Sequence, residues 1–277
     1  MCGERARACW TAVFLAAALG LGAFLRYDAF AGGHTQLPVV YNYAYDGTAI
    51  SLAKGHGFRI WPIPPFRDRG RLADAEEYLK WDTAPKVQDP DKLPYFQFNP
   101  GVPLALALSY KFLGYRYKYF QIAQLALTWL LIPLVYYCGR VYFQSRPVGI
   151  MSAFLYAASM PDICYSLYIA RELATTTAVV VTAAAVAHIL DRKETLSARR
   201  LATVSILAGM ATAVCALFRS TAVPMFFVFP FMLLFVLPWK KAALSGLFCL
   251  GAGLLVLSPW LIRNYQVMGK WTLSQES

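Results

Sequence analysis

Acid–base and charge chemistry has few places to sit in this chain. Nine of the fifteen acidic residues fall between Asp28 and Asp91, in a stretch broken by Pro62, Pro64, Pro65, Pro85, Pro90 and Pro94. Within it, Tyr45-Asp46-Gly47 opens a segment running to Gly55-His56-Gly57-Phe58. The segment reads as a short helix with Ala49, Leu52 and Ala53 on one face, closed by the two glycines. A carboxylate at Asp46 either stabilises the start of that helix or takes a proton from an attacking hydroxyl or amine. Farther along, Pro161-Asp162 and Arg171-Glu172 flank a short apolar turn, while Arg219, Arg263 and Asn264 stand at the ends of long apolar blocks. Guanidinium groups there match a phosphate by bidentate hydrogen bonding, or else anchor the chain by snorkelling. The neighbouring charges of Arg171 and Glu172 could equally be an interfacial salt bridge.

Other reactive residue types carry less. His34 and His56 are too few for a metal cage, and His188 sits near the end of an apolar block, where packing or an interfacial position explains it. Cys2, Cys9, Cys138, Cys164, Cys215 and Cys249 show neither paired nor metal-type spacing and read as packing residues. Trp61, Trp81, Tyr95, Phe96 and Phe98 suit an interfacial belt or a sugar-stacking surface.

The elements that must position these groups are set by composition. The chain is 58% hydrophobic and 15% charged, where soluble chains carry roughly a quarter charged residues. Apolar blocks long enough for a membrane span, which takes about 20 helical residues, run Cys9–Leu25, Tyr119–Cys138, Leu173–Leu190, Leu201–Phe218, Ser220–Trp239 and Ala242–Ile262. A shorter block covers Pro147–Met160. Helices are required, because backbone groups in lipid must pair within their own segment. The expected fold is therefore an all-α polytopic membrane protein of about seven spans, a single domain over residues 1–277, with residues 27–115 as a large external loop carrying interfacial helices. The first block could be a signal peptide, with Arg5 and Arg7 before it and Ala29-Phe30-Ala31 after it. Arg26, Asp28 and the later spans favour an uncleaved first helix.

Charge placement gives the orientation. The net charge of +11 does not point to nucleic acid, because the basic residues sit beside the spans: Arg5/Arg7, Arg140/Arg146, Arg192/Lys193/Arg199/Arg200 and Lys240/Lys241. The block Gly101–Tyr115 is short, opens on Asn99-Pro100 and contains Lys111. If it crossed, with the N-terminus inside, those basic clusters would fall outside, against the charge bias. Lying at the interface, it leaves them cytoplasmic and gathers Asp46, Asp162, Arg171, Glu172, Arg219, Arg263 and Asn264 on the external face.

The order of the pieces resembles the GT-C superfamily of polytopic glycosyltransferases, in particular bacterial relatives of protein O-mannosyltransferases and of the aminoarabinose transferase that modifies lipid A. The matching pieces are Tyr45 with Ala49-x-x-Leu52-x-x-Gly55-x-Gly57-Phe58, then Asn99-Pro100-Gly101-Val102-Pro103, Gly139-Arg140, Arg171-Glu172, Gly209 to Arg219, and Pro259-Trp260-Leu261-Ile262-Arg263-Asn264-Tyr265. The resemblance implies sugar transfer in the cell envelope, from a polyprenyl-phosphate donor to a lipid, glycan or protein acceptor. It implies a carboxylate in the first external loop and a second acid in the next, by position Asp46 and Glu172, with Asp162 beside them. Asn42, Tyr45, Arg171, Arg219, Arg263 and Asn264 would bind substrate. The family's loop acid usually stands three or four residues before the tyrosine matched by Tyr45, where this chain has Tyr41 and Asn42, so Asp46 is displaced. Members also usually continue through further spans, so the chain reads as a fragment or half of a split protein.

The expected partners are thus the lipid-linked donor, its acceptor and membrane lipids, with no nucleic acid. The expected place is the cell's inner or plasma membrane, N-terminus cytoplasmic. The sequence specifies no cofactor and leaves a divalent cation open. Two other readings stay open: a non-catalytic or fragmentary protein of the same fold, and a transporter subunit, which would need ionisable residues along a mid-membrane path.

Overall fold

The structure is a computed structural model that describes residues 2–31, 39–58, 99–114, 117–167 and 171–274. Residues 59–98, with most of the loop's acids and the aromatics Trp61, Trp81, Tyr95, Phe96 and Phe98, lie outside the described residues, as does His34. The side chains of Asn42 and Asp46 lie outside them too.

Among the described residues every regular element is helical. In chain order they are α1 (Cys2–Ala31), α2 (Val39–Ala53), α3 (Gly101–Leu113), α4 (Tyr117–Tyr142), α5 (Arg146–Ala157), α6 (Met160–Leu167), α7 (Glu172–Asp191), α8 (Ala198–Phe218), α9 (Met225–Leu233) and α10 (Trp239–Met268). Five of these, α1, α4, α7, α8 and α10, contain apolar stretches long enough to cross a bilayer. The bent pair α5–α6, turned by 41° at its break, makes a sixth if it counts as one span. Among the described residues the fold is thus all-helical, with five or six helices long and apolar enough to span a membrane.

The block expected at the interface is too short to cross, and one expected span takes another form. At 13 residues, α3 is about 20 Å long at ~1.5 Å per residue, well short of a hydrocarbon core of about 30 Å. The block Ser220–Trp239 is not one helix either. A 3-10 turn at Ser220–Ala222 leads into α9, nine residues that end at Leu233, and the chain then turns before α10. Composition gave this block spanning length, but Pro224 and Pro238 stand at the starts of α9 and α10, and Pro230 removes a backbone donor inside α9.

Chain direction sorts the bundle into two ends. At one, Tyr137 near the end of α4 donates to Asp191 at the end of α7 (3.3 Å), and Tyr142 donates to the carbonyl of Ala183 (2.7 Å). Arg140, Arg146, Arg192, Lys193, Arg199, Arg200, Lys240 and Lys241 lie at this basic end, all exposed. At the other end, Gln121 at the start of α4 donates to the carbonyl of Leu167 at the end of α6 (2.7 Å), and the start of α7 meets the end of α8.

The most extensive helix pair is α8 with α10, and it packs on small residues. Ser205, Ala208, Gly209, Thr212, Ala213 and Ala216 are buried on α8, as are Ala242, Ser245, Gly246, Cys249 and Gly253 on α10. In lipid, helices associate through such close van der Waals packing and not through hydrophobic expulsion. A Cβ at Gly209 would lie 2.1 Å from the Cys249 carbonyl oxygen, so only glycine allows this approach. Helix α9 runs antiparallel to α10, with Phe226 against Gly253 and Pro230 against Gly246. A smaller core joins α1, α4 and α5 through Ala18, Ile132, Ala153 and Ala157.

Candidate functional site

The site end is built by helix termini. Glu172 is the first residue of α7, where the exposed amides and the helix dipole favour a carboxylate. Arg219 follows the last residue of α8 in extended backbone, so its side chain leaves the helix towards α7. The two meet as an ion pair from Arg219 Nη1 to Glu172 Oε1, with side chains 33% and 39% exposed. Beside it, the Thr175 and Thr221 hydroxyls lie 2.7 Å apart. Arg171, partly exposed, immediately precedes α7.

The motif Asn99-Pro100-Gly101 fixes α3 against this point. The buried Asn99 amide donates to the carbonyl of Ala216 (2.7 Å), in the last turn of α8. Gly101 packs where a Cβ would lie 2.7 Å from the backbone nitrogen of Phe218, one residue before Arg219. The returning end of the large loop is thereby docked beside the ion pair.

The loop's first helix is held by α10. Gly55 and Gly57 have φ of +83° and +80°, a backbone that favours glycine and turns the chain sharply after α2, as expected from the sequence. Phe58 then reaches α10, its ring 4.8 Å from that of Trp260. Arg263 donates to the Phe58 carbonyl (3.3 Å) and to Asn264 Oδ1 (2.9 Å), and its guanidinium lies over the Trp260 ring at 4.7 Å. Asn264 is fully enclosed and donates to the carbonyls of Thr272 (2.8 Å) and Leu273 (3.4 Å). Its amide thus ties down the segment after α10, whereas the sequence suggested substrate contact. Tyr45, also expected at substrate, is fully enclosed in the main core.

Asp46 departs from the expected position. Helix α2 begins at Val39, so Asp46 lies mid-helix and not at the N-terminus. The apolar run Val39-Val40 carries the helix back to the residue after Pro38, a stretch the glycine-bounded reading began too late. Asp46 therefore has no role in stabilising the start of this helix.

Asp162 belongs to a second cluster, on the α1 side. It sits in the first turn of α6 and accepts from the Ser159 hydroxyl at 2.8 Å. Nearby is Arg26, a residue the sequence marked only as an interruption at the end of the first span. It is 3% exposed; Nε donates to Thr128 Oγ1 (3.0 Å) and Nη1 to the carbonyls of Gly22 and Ala157 (both 3.1 Å). The available signal was an arginine directly following 17 apolar or small residues from Cys9 to Leu25. The Thr175–Thr221 pair gave no such signal.

The arginines of the two ends differ in kind. Arg26, Arg171, Arg219 and Arg263 are partly or fully buried, whereas Arg140, Arg146, Arg192, Arg199 and Arg200 are all exposed. Cys215 and Cys249 are buried thiols, while Cys9 and Cys164 are exposed. Among the described residues no group of three or more His, Cys, Asp or Glu side chains is placed to hold a metal ion.

Searches of family models, curated proteins and solved structures found nothing that matches the chain. What the arrangement can do rests on its own geometry. One arginine, the positive end of α7, two hydroxyls and the Glu172 carboxylate meet at this point.

Proposed function

We propose that the chain is a membrane glycosyltransferase of the GT-C type, moving a sugar from a polyprenyl-phosphate donor to a lipid, glycan or protein acceptor outside the membrane. The observation that carries this reading is the joining of Glu172 and Arg219 at the end of the bundle opposite the exposed basic clusters, with the docked loop beside it. Charge bias supports a cytoplasmic basic end and an external site end, and the reading takes the membrane to be a cell's inner or plasma membrane. The antiparallel run of α9 along α10 supports counting residues 220–239 as a broken return to the basic end, which makes seven crossings.

In this reading Arg219, the amides at the start of α7 and the Thr175 and Thr221 hydroxyls bind the donor phosphate. An acid of the loop, Asp46, takes the acceptor's proton as it attacks the anomeric carbon, with Glu172 and Asp162 the alternatives on α7 and α6. Arg171 adds positive charge at the same rim. Arg263 acts from behind, holding Phe58 and hence the exit of α2 against α10.

The test offers radiolabelled polyprenyl-phosphate sugars to membranes containing the protein. Label should move into an acceptor fraction, Arg219→Gln should weaken donor use, and Asp46→Asn should slow transfer at least about 100-fold at unchanged expression. Full activity in Asp46→Asn removes that residue as the base. Failure of the unaltered protein to consume any such donor sinks the reading.

A further inference from the structure

We propose that Arg26 and Tyr156 form an internal carboxylate-binding site for Asp162, and that the α5–α6 bend moves Asp162 between Ser159 and this site. Arg26 is committed through three of its hydrogens to three different elements, α1, α4 and the end of α5. Its remaining nitrogen, Nη2, is enclosed and has no hydrogen-bond partner among the described residues. The hydroxyl of Tyr156, one residue before the Ala157 carbonyl that Arg26 binds, is enclosed and unpartnered in the same way. Both atoms are donors, and a buried donor without an acceptor is costly, all the more beside a charge at membrane depth. Together they call for an anionic oxygen.

Asp162 is the acid of α6, and α6 packs against α1 and α4, the two helices that Arg26 joins. It is joined to Tyr156 through the break at Ala158 and Ser159, so it needs only a turn of α6 and no chain rearrangement. In the arrangement seen here it is half-buried and bound to the Ser159 hydroxyl. The Ser159–Asp162 bond joins the break to the first turn of α6, and it anchors α6 in its present rotation.

Helix geometry fixes the readout. Ile163, Ser166 and Leu167 form the buried side of α6, with Asp162 at its edge and Cys164 exposed. At about 100° per residue, turning Asp162 inward turns Cys164 further outward. Removing the Ser159 anchor should therefore favour the docked form and expose Cys164 more.

The experiment measures the rate at which a water-soluble maleimide labels Cys164 in the full chain in detergent, read from the mass of the Cys164 peptide. Ser159→Ala should raise the rate at least threefold. Adding Tyr156→Phe or Asp162→Asn to Ser159→Ala should return it to the unaltered rate, because the docked form is lost. Simple loosening of α6 predicts the reverse, with each double variant labelled at least as fast as Ser159→Ala. That result, or an unchanged rate in Ser159→Ala, overturns the proposal. Arg26 itself stays intact, since its bonds hold three elements together. If the Asp162→Asn chain is protected or exposed at Cys164 by phosphatidylglycerol vesicles and not by phosphatidylcholine ones, the occupant is a lipid phosphate, and the assignment to Asp162 falls.

Discussion

The tightest contact between the two longest-contacting helices predicts opposite effects for one substitution at two places. A methyl group added at Gly209 would sit 2.1 Å from the carbonyl oxygen of Cys249 and 2.8 and 2.9 Å from its carbonyl carbon and Cα. All three are backbone atoms of α10, so no side chain can swing aside, and α8 and α10 must part by about 1 Å. A gap of that size forfeits roughly a quarter to a half of each dispersion contact along the seam, and overpacking of this kind costs about 1–3 kcal/mol. Because the seam lacks hydrophobic compensation in lipid, the upper end applies, about 3 kcal/mol, against which better helix propensity returns up to about 1 kcal/mol. Gly209→Ala should thus lose about 2 kcal/mol, roughly thirtyfold in the unfolding equilibrium. At Gly251, on the same helix α10, an added Cβ meets nothing within 4 Å. Gly251→Ala should therefore gain about 0.5–1 kcal/mol by propensity alone. Both are read from loss of helical circular dichroism as micelles are titrated with dodecyl sulfate. Equal stability of the two variants would refute the packing argument. The link to the site is direct, because α8 delivers Arg219 and α10 delivers Arg263.

Further outcomes follow from the same structure. A double-mutant cycle on Glu172→Ala and Arg219→Ala should give a coupling of about 1 kcal/mol, modest because both side chains are more than a third or nearly a third exposed, and molar salt should shrink it; a coupling that salt leaves unchanged would mean the pair is not the solvent-reached contact described. Asn264→Ala leaves the Thr272 and Leu273 carbonyls without this donor, and about 1–3 kcal/mol of stability should go with it; trypsin should then cut after the exposed Lys270 several-fold faster, whereas an unchanged cleavage rate would show that Asn264 does not hold the segment.

Much of the architecture was legible because lipid imposes simple rules. The blocks Cys9–Leu25, Tyr119–Cys138, Leu173–Leu190, Leu201–Phe218 and Ala242–Ile262 each fall within one long helix, since apolar length alone demands it. The interrupted stretch Ser220–Trp239 was not legible as such, because a count of apolar residues is blind to two prolines that stand at helix starts and a third that removes a backbone donor inside α9. Asp46 was misplaced within its helix because the signals used, Gly55 and Gly57, mark an end and say nothing of the start. Glu172 and Arg219 were both visible as charges at span ends, but 47 residues separate them and only the turn at the end of α8 reveals that they pair. Asn264 looked like a ligand residue because a polar side chain beside an arginine at a span end has the same appearance whether it faces substrate or the Thr272 backbone.

The distinction that the sequence could not draw is between charges that orient a membrane protein and charges that work in it. Both kinds must lie at the ends of spans, because the hydrocarbon centre excludes them. They separate by their surroundings. An orienting arginine needs only water and lipid headgroups, and Arg140, Arg146, Arg192, Arg199 and Arg200, the described ones at the basic end, are accordingly exposed. An arginine that binds or positions something must surrender hydration, which is costly unless acceptors replace the water. Arg26 with Thr128 and two carbonyls, Arg219 with Glu172, and Arg263 with Phe58 and Asn264 have each made that exchange. Desolvation repaid by specific acceptors at one end, while the described arginines of the other are exposed, is the physical argument for the proposed site on the side of Glu172 and Arg219.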